Sequence, residues 1–170
     1  GPGGLTRSLL MHGARKLFAI EKDPACLPAL LDLQKVYSGR LKVINADARK
    51  LNLSNFSAKP CNIVANLPYN ISTVLLVNWL QQIKSISGMT LTFQKEVADR
   101  LAAVPSTKDY GRLTVMTQWL CDVKIQFNIS RKAFVPPPKV ISSVVTFVPR
   151  DVPLAPATWS ALERVTSAAF

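Results

Sequence analysis

Short apolar runs alternate along this chain with stretches whose apolar residues fall three or four apart. The runs at 16–20, 42–45, 61–65, 89–93, 121–128 and 140–147 have the length and composition of strands. Between them, 5–11, 23–34, 72–83, 95–103 and 112–120 carry helical spacing, and a helical tail starts at Ala157. Asp23 can cap the second helix, Pro24 suits its first turn, and Leu27, Leu30 and Leu31 are expected on one face. In the third, Val74, Leu75 and Trp79 are expected to point inward. Strands alternating with helices predict an α/β fold: an open, mostly parallel sheet with helices on both faces. Ligands of such sheets bind beyond the carboxyl ends of the strands.

Several candidate residues fall at such ends. Gly1-Pro2-Gly3-Gly4 precedes the first helix, and a glycine loop there lets backbone N–H groups approach a ligand. Taken alone it is also an ordinary glycine turn. Glu21 closes the first strand about 20 residues past that loop, a spacing that suits a carboxylate accepting from ribose hydroxyls. Asp47, in Asn45-Ala46-Asp47-Ala48, follows the second strand and could accept from an adenine amino group. A turn aspartate is the plainer account of it. The third strand runs straight into Asn66-Leu67-Pro68-Tyr69. Proline ends a ladder and fixes the backbone, but explains neither the amide nor the ring beside it.

Charge narrows the partners. The chain has 170 residues with 21 Lys and Arg against 10 Asp and Glu, a formal charge of +11. Such a surplus points to a polyanion, with nucleic acid ahead of an anionic membrane because no basic amphipathic helix stands out. Lys95, Arg100, Lys108, Arg112, Arg131, Lys132 and Lys139 are candidates for that face, with a solvated surface as the alternative. Cys26, Cys61 and Cys121 lie far apart and show no CxxC spacing, so neither a disulfide framework nor a zinc ribbon is expected. His12 is the one histidine, which disfavours histidine triads and metal clusters. No apolar run is long enough to cross a membrane. Residues 134–140, FVPPPKV, form a stiff connector.

The amide, turn and ring make sense together if the substrate is an adenine amine. Its lone pair is delocalised into the ring, so it is a poor nucleophile. The Asn66 side-chain oxygen can accept one N–H, and a main-chain carbonyl of Leu67 or Pro68 the other. Two acceptors favour a tetrahedral nitrogen and re-localise the lone pair. Tyr69 offers a face for a base extruded from its helix. A strand-to-helix turn with an Asn cap and a core Tyr is the structural alternative. The glycine loop and Glu21 would also fit a nicotinamide dinucleotide enzyme, which leaves Asn66 and the charge unexplained.

With these residues in hand, the sequence resembles the KsgA-type small-subunit rRNA adenine N(6)-dimethyltransferases over essentially its whole length. The segments are GPGGLT, AIEKD, NADA, NLPYNIST, TFQKEVADRL, KDYGRL and FVPPPKVISSVV, in that order. TLTFQKEVADRLAA and QWLCDV look most like alphaproteobacterial or mitochondrial members. The resemblance implies a Rossmann-like methyltransferase fold of class I with a small helical C-terminal domain. It divides the chain into a catalytic domain over 1–150 and the start of the helical domain over 151–170. It implies S-adenosylmethionine as methyl donor, with no metal. The reaction implied is dimethylation of two adjacent adenines near the 3′ end of small-subunit rRNA, in an assembling subunit, by a cytoplasmic monomer or one in the mitochondrial matrix. Carried over, Gly1 and Gly3 flank the cofactor's methionine part, Glu21 with Lys22 holds its ribose, and Asp47 with Ala48 its adenine. Asn66, Leu67, Pro68 and Tyr69 handle the target base, Asn66 also borders the cofactor, and Phe134 is a second stacking face.

The resemblance also implies that the family's first strand, near the centre of the sheet, lies upstream of Gly1, and that most of the C-terminal domain lies beyond Phe170. The isolated chain is therefore expected to fold poorly or to bind cofactor weakly. Erm-type large-subunit rRNA methyltransferases share the glycine loop and the FxPPPxV block, but usually carry N-I-P-Y where this chain has Leu67. DNA adenine methyltransferases more often show N-P-P-Y or D-P-P-Y. A non-catalytic assembly or mitochondrial transcription factor on the same fold is the alternative from outside enzymology.

Overall fold

The computed structural model describes residues 1–56 and 59–170. They divide into two compact units, Gly1–Ala58 and Lys59–Phe170.

In the first unit, helix α1 (Gly4–Met11) leads to strand β1 (Leu17–Glu21), helix α2 (Leu27–Val36) and strand β2 (Leu41–Asn45). β1 and β2 pair in parallel, with Glu21 opposite Asn45. Gly3 precedes α1 at φ +101°, and a Cβ there would sit 3.0 Å from Leu30 Cδ2, so both backbone and space call for glycine. Asp23 accepts from Ala25 N–H at 2.9 Å, as a cap should. It caps a 3-10 turn, Pro24–Cys26, and α2 proper begins after it. Leu10, Ala19, Leu30 and Leu41 form the core, with Leu33 and Tyr37 packed against them. Leu31 is 45% exposed, not on the buried face as expected. The buried stripe follows 30, 33 and 37, and Leu31 lies one step of about 100° around the helix.

The second unit contains β3 (Cys61–Asn66), α3 (Tyr69–Leu80), β4 (Ile86–Gln94), α4 (Lys95–Leu101), α5 (Arg112–Leu120), β5 (Cys121–Ile129), β6 (Ser142–Pro149) and α6 (Trp159–Ala169). Its four strands run in the order β3-β4-β6-β5. β3 and β4 are parallel, whereas β6 is antiparallel to both β4 and β5. The strands form a two-stranded and a four-stranded sheet, and among the described residues β1 has a ladder partner only in β2. The return from β5 to β6 is also antiparallel, because the proline-rich link at 130–141 provides no α-helix to cross over the sheet.

The core of this unit centres on Leu76, Leu91, Phe93, Val145 and Phe147, all at most 1% exposed. The Phe93 and Phe147 rings meet edge-on at 6.0 Å. In α3 the buried stripe is Leu75, Leu76, Trp79 and Leu80, while Val74 is 49% exposed. α3 also starts at Tyr69, three residues before its expected start, with Pro68 in the cap position and its φ of −58° preset for the turn. Ser72 does not cap; its hydroxyl donates back to Tyr69 C=O at 3.0 Å.

Candidate active site

In the first unit the carboxyl ends of two parallel strands carry two carboxylates. Glu21 is the last residue of β1, and Asp47 stands two residues past β2. Their side chains are 14% and 15% exposed. Glu21 Oε1 accepts from the backbone N–H of Lys22 at 2.8 Å and of Asp23 at 2.7 Å. That fixes the carboxylate and leaves Oε2 to face the nitrogen of Gly1. Lys22 Nζ donates to Asp47 Oδ2 at 3.2 Å, so three of the residues expected to hold cofactor lie together with Gly1.

Arg49 binds Asp47 through side chain and backbone alike, with Nη2 at 2.6 Å from Oδ2 and its N–H at 3.0 Å from Oδ1. The Arg49 side-chain hydrogen bonds, aided by its backbone N–H and by Lys22, hold the Asp47 carboxyl well below the usual carboxylate range, against a smaller opposing effect of burial. Ala48 starts the 3-10 turn that presents Arg49. The donor and acceptor set fits a nucleoside-bearing cofactor: an oriented carboxylate for hydroxyls, a second carboxylate for an amino group, and a left-handed glycine at a helix start. The sequence reading missed Arg49, although its place two residues after an acid in a turn was visible.

In the second unit Asn66 ends β3 with its side chain exposed, and Leu67 is buried at 9%. Asn66 does not cap α3. Its Oδ1 accepts from the Thr92 hydroxyl at 2.6 Å, and the same hydroxyl accepts from Leu67 N–H at 3.2 Å. Register explains the contact, since Asn66 and Thr92 are paired positions at the carboxyl ends of parallel strands. Tyr69 is half-buried in the first turn of α3, and its hydroxyl lies 2.6 Å from Ser142 Oγ. Because β6 is antiparallel, its first residue, Ser142, stands beside Gln94 at the end of β4. Thr92 and Ser142 were both missed in the sequence, because only the pairing register brings them to the motif. Phe134 is half-buried after a 3-10 turn, and no ring pair among the described residues joins it to Tyr69.

The seven candidate basic residues are all exposed. Lys95 pairs with Asp99, Arg100 with Glu96 and Arg112 with Glu163, which leaves less positive charge on offer than the sequence suggested. Arg131 donates to Lys139 C=O at 3.2 Å. Among the described residues no helix is long and apolar enough to cross a membrane, and no group of three or more His, Cys, Asp or Glu could hold a metal ion.

The sequence profile of the family described as "Ribosomal RNA adenine dimethylase" matches residues 1–170. The chain belongs to that family. Among its relatives, the "Ribosomal RNA small subunit methyltransferase A" of Rhodospirillum rubrum is 52% identical over 170 residues, which are 100% of this chain and 59% of that protein. The protein of the same name from Jannaschia sp. is 50% identical over 173 residues, covering 100% of this chain and 60% of its own. The chain thus spans about three fifths of the curated relatives it matches. The resemblance to alphaproteobacterial members holds.

Two solved structures support the Rossmann-like methyltransferase fold. The dimethyladenosine transferase from Plasmodium falciparum gives a TM-score of 0.78 at 32% identity, over 89% of this chain and 54% of that one. The 23S rRNA methyltransferase ErmE gives 0.72 at 32%, over 98% and 64%.

Proposed function

We propose that this chain is the catalytic part of an enzyme that moves methyl groups from S-adenosylmethionine to the exocyclic amines of adenines in small-subunit rRNA. The observation that carries the reading is the state of Asn66. Its amide is exposed at the end of a parallel strand, and its oxygen is held by Thr92 in place of capping the helix that follows. A carbonyl oxygen has two lone pairs, so Oδ1 keeps one for a substrate N–H. The buried Leu67 anchors the turn, and the carbonyl of Leu67 or Pro68 supplies the second acceptor. Tyr69 gives the extruded base a stacking face, with Phe134 as the second.

When bound, the cofactor supplies a methyl group already activated by its sulfonium. The residues of the first unit serve to place it. Gly1 and Gly3 border its methionine part, Glu21 and Lys22 its ribose, and Asp47 and Ala48 its adenine. The target is two adjacent adenines near the 3′ end of the RNA, in an assembling small subunit, and the enzyme works as a cytoplasmic monomer. Residues 1–150 are the catalytic domain and 151–170 open the helical domain.

The names of the curated relatives support the small-subunit target, at 48–52% identity against 32% for ErmE. The test uses the full-length protein, S-adenosylmethionine and unmethylated small ribosomal subunits, followed by digestion and mass spectrometry for dimethyladenosine. Product in small-subunit RNA is expected. Product only in large-subunit RNA would replace this reading with the Erm-type one, and none in either would leave a binding role.

A further inference from the structure

We infer that Thr92 is a positioning residue for methyl transfer, the group that sets both acceptors of the target amine; this rests on the function proposed above. Thr92 lies in β4, outside the motif, and is 8% exposed. A hydroxyl so buried needs partners for both its proton and its lone pairs. It has them in two consecutive residues of the motif, accepting from Leu67 N–H at 3.2 Å and donating to Asn66 Oδ1 at 2.6 Å.

The directions are forced. Leu67 N–H can only donate, so Thr92 Oγ1 accepts there, and its single proton is left for the amide of Asn66. The Asn66 atom beside Thr92 is therefore oxygen, and the amide cannot turn its NH2 group to that side without leaving the Thr92 proton without an acceptor. A flipped amide would offer the substrate amine a donor where it needs an acceptor.

The same hydroxyl ties down the peptide N–H that opens the Leu67-Pro68 turn, whose carbonyls are the candidates for the second acceptor. One side chain thus fixes the relative placement of a side-chain acceptor and a main-chain acceptor. A hydroxyl donor on Oδ1 also takes up one lone pair, leaving a single direction for the amine. The parallel register holds the arrangement in place, since Thr92 is the ladder partner of Asn66 and lies between Leu91 and Phe93, both 0% exposed.

The test compares Thr92→Val, Thr92→Ser and Thr92→Ala in the full-length protein, with unmethylated small subunits as substrate. Val keeps the shape and removes the hydroxyl. We expect kcat for methyl transfer to fall roughly 10- to 100-fold, the cost of misplacing reacting groups by a fraction of an ångström to an ångström. KM for cofactor and RNA should change less than threefold. Thr92→Ser should recover kcat to within about threefold of the parent. If Thr92→Val does not fold, the Ser and Ala variants carry the comparison, because they differ by the one hydroxyl. A kcat in Thr92→Val within twofold of the parent would overturn the inference. So would Ser and Ala variants equally impaired, or losses confined to KM. Asn66→Ala is measured alongside: if it is inactive while Thr92→Val is normal, only this inference fails, and if it is fully active, the proposed function fails first.

Discussion

The hydroxyl pair formed by Tyr69 and Ser142 makes a prediction about stability that needs no ligand. The two oxygens are 2.6 Å apart, Ser142 is 0% exposed, and Tyr69 is half-buried. Tyr69→Phe keeps the ring and strands the Ser142 hydroxyl in a dry interior, which costs about 1–3 kcal/mol. Ser142→Ala leaves the Tyr69 hydroxyl without this partner, in a residue less buried than Ser142, at a cost of about 0.5–1.5 kcal/mol. Replacing both removes two polar groups together and should be nearly neutral. The double variant should therefore be more stable than Tyr69→Phe alone, with a coupling of about 1.5–4.5 kcal/mol in the cycle, the sum of the two single costs. Urea unfolding of the full-length protein followed by tryptophan fluorescence reads this out, since Trp79, Trp119 and Trp159 lie in the same unit as the pair. Effects that add to within about 0.5 kcal/mol would refute the reasoning, because independent sites behave that way. The same single variants should slow methyl transfer, as each frees the Tyr69 ring to tilt away from a stacking geometry.

Two further predictions concern the first unit. Gly3→Ala places an L side chain at φ +101° with its Cβ 3.0 Å from Leu30 Cδ2, and should cost about 1–2 kcal/mol of stability and weaken cofactor binding; unchanged calorimetric affinity and unfolding midpoint would contradict it. The Asp47 carboxyl is depressed chiefly by the Arg49 side chain, so its contribution is present above the unfolded value of about 3.9 and is lost as pH falls through the lower folded value. Cofactor affinity should then be flat from about pH 5 to 8 as far as Asp47 is concerned. A titration with a midpoint in that window, absent in Asp47→Asn, would show the carboxyl to be unclamped.

Much of the site was legible because its residues sit at strand ends, where a carboxylate, an amide or a glycine loop stands out from the apolar run before it. Glu21, Asp47 and Asn66 lie at such ends in the structure. Their partners were not legible. Thr92 and Ser142 reach the motif through register, from strands that begin at Ile86 and Ser142, and one slipped residue would turn each to the other side of its sheet. The phase of α3 was misread for a different reason. Residues 74–77 are all apolar, so spacing does not say which side is buried, and packing selects Leu75 and Leu76 over Val74. The antiparallel β6 was hidden because an apolar run carries no direction; the prolines at 136–138 were the one visible sign that no crossover helix precedes it.

The central claim is that Asn66 acts on the target amine, and one comparison tests it most directly. Full-length parent and Asn66→Ala proteins are incubated at saturating S-adenosylmethionine with unmethylated small subunits, the RNA is digested, and mono- and dimethyladenosine are measured by mass spectrometry. The account predicts dimethyladenosine with the parent and a loss of at least about 100-fold in rate with Asn66→Ala, while both proteins bind the subunit equally. Dimethyladenosine formed by Asn66→Ala at the parent rate would contradict it.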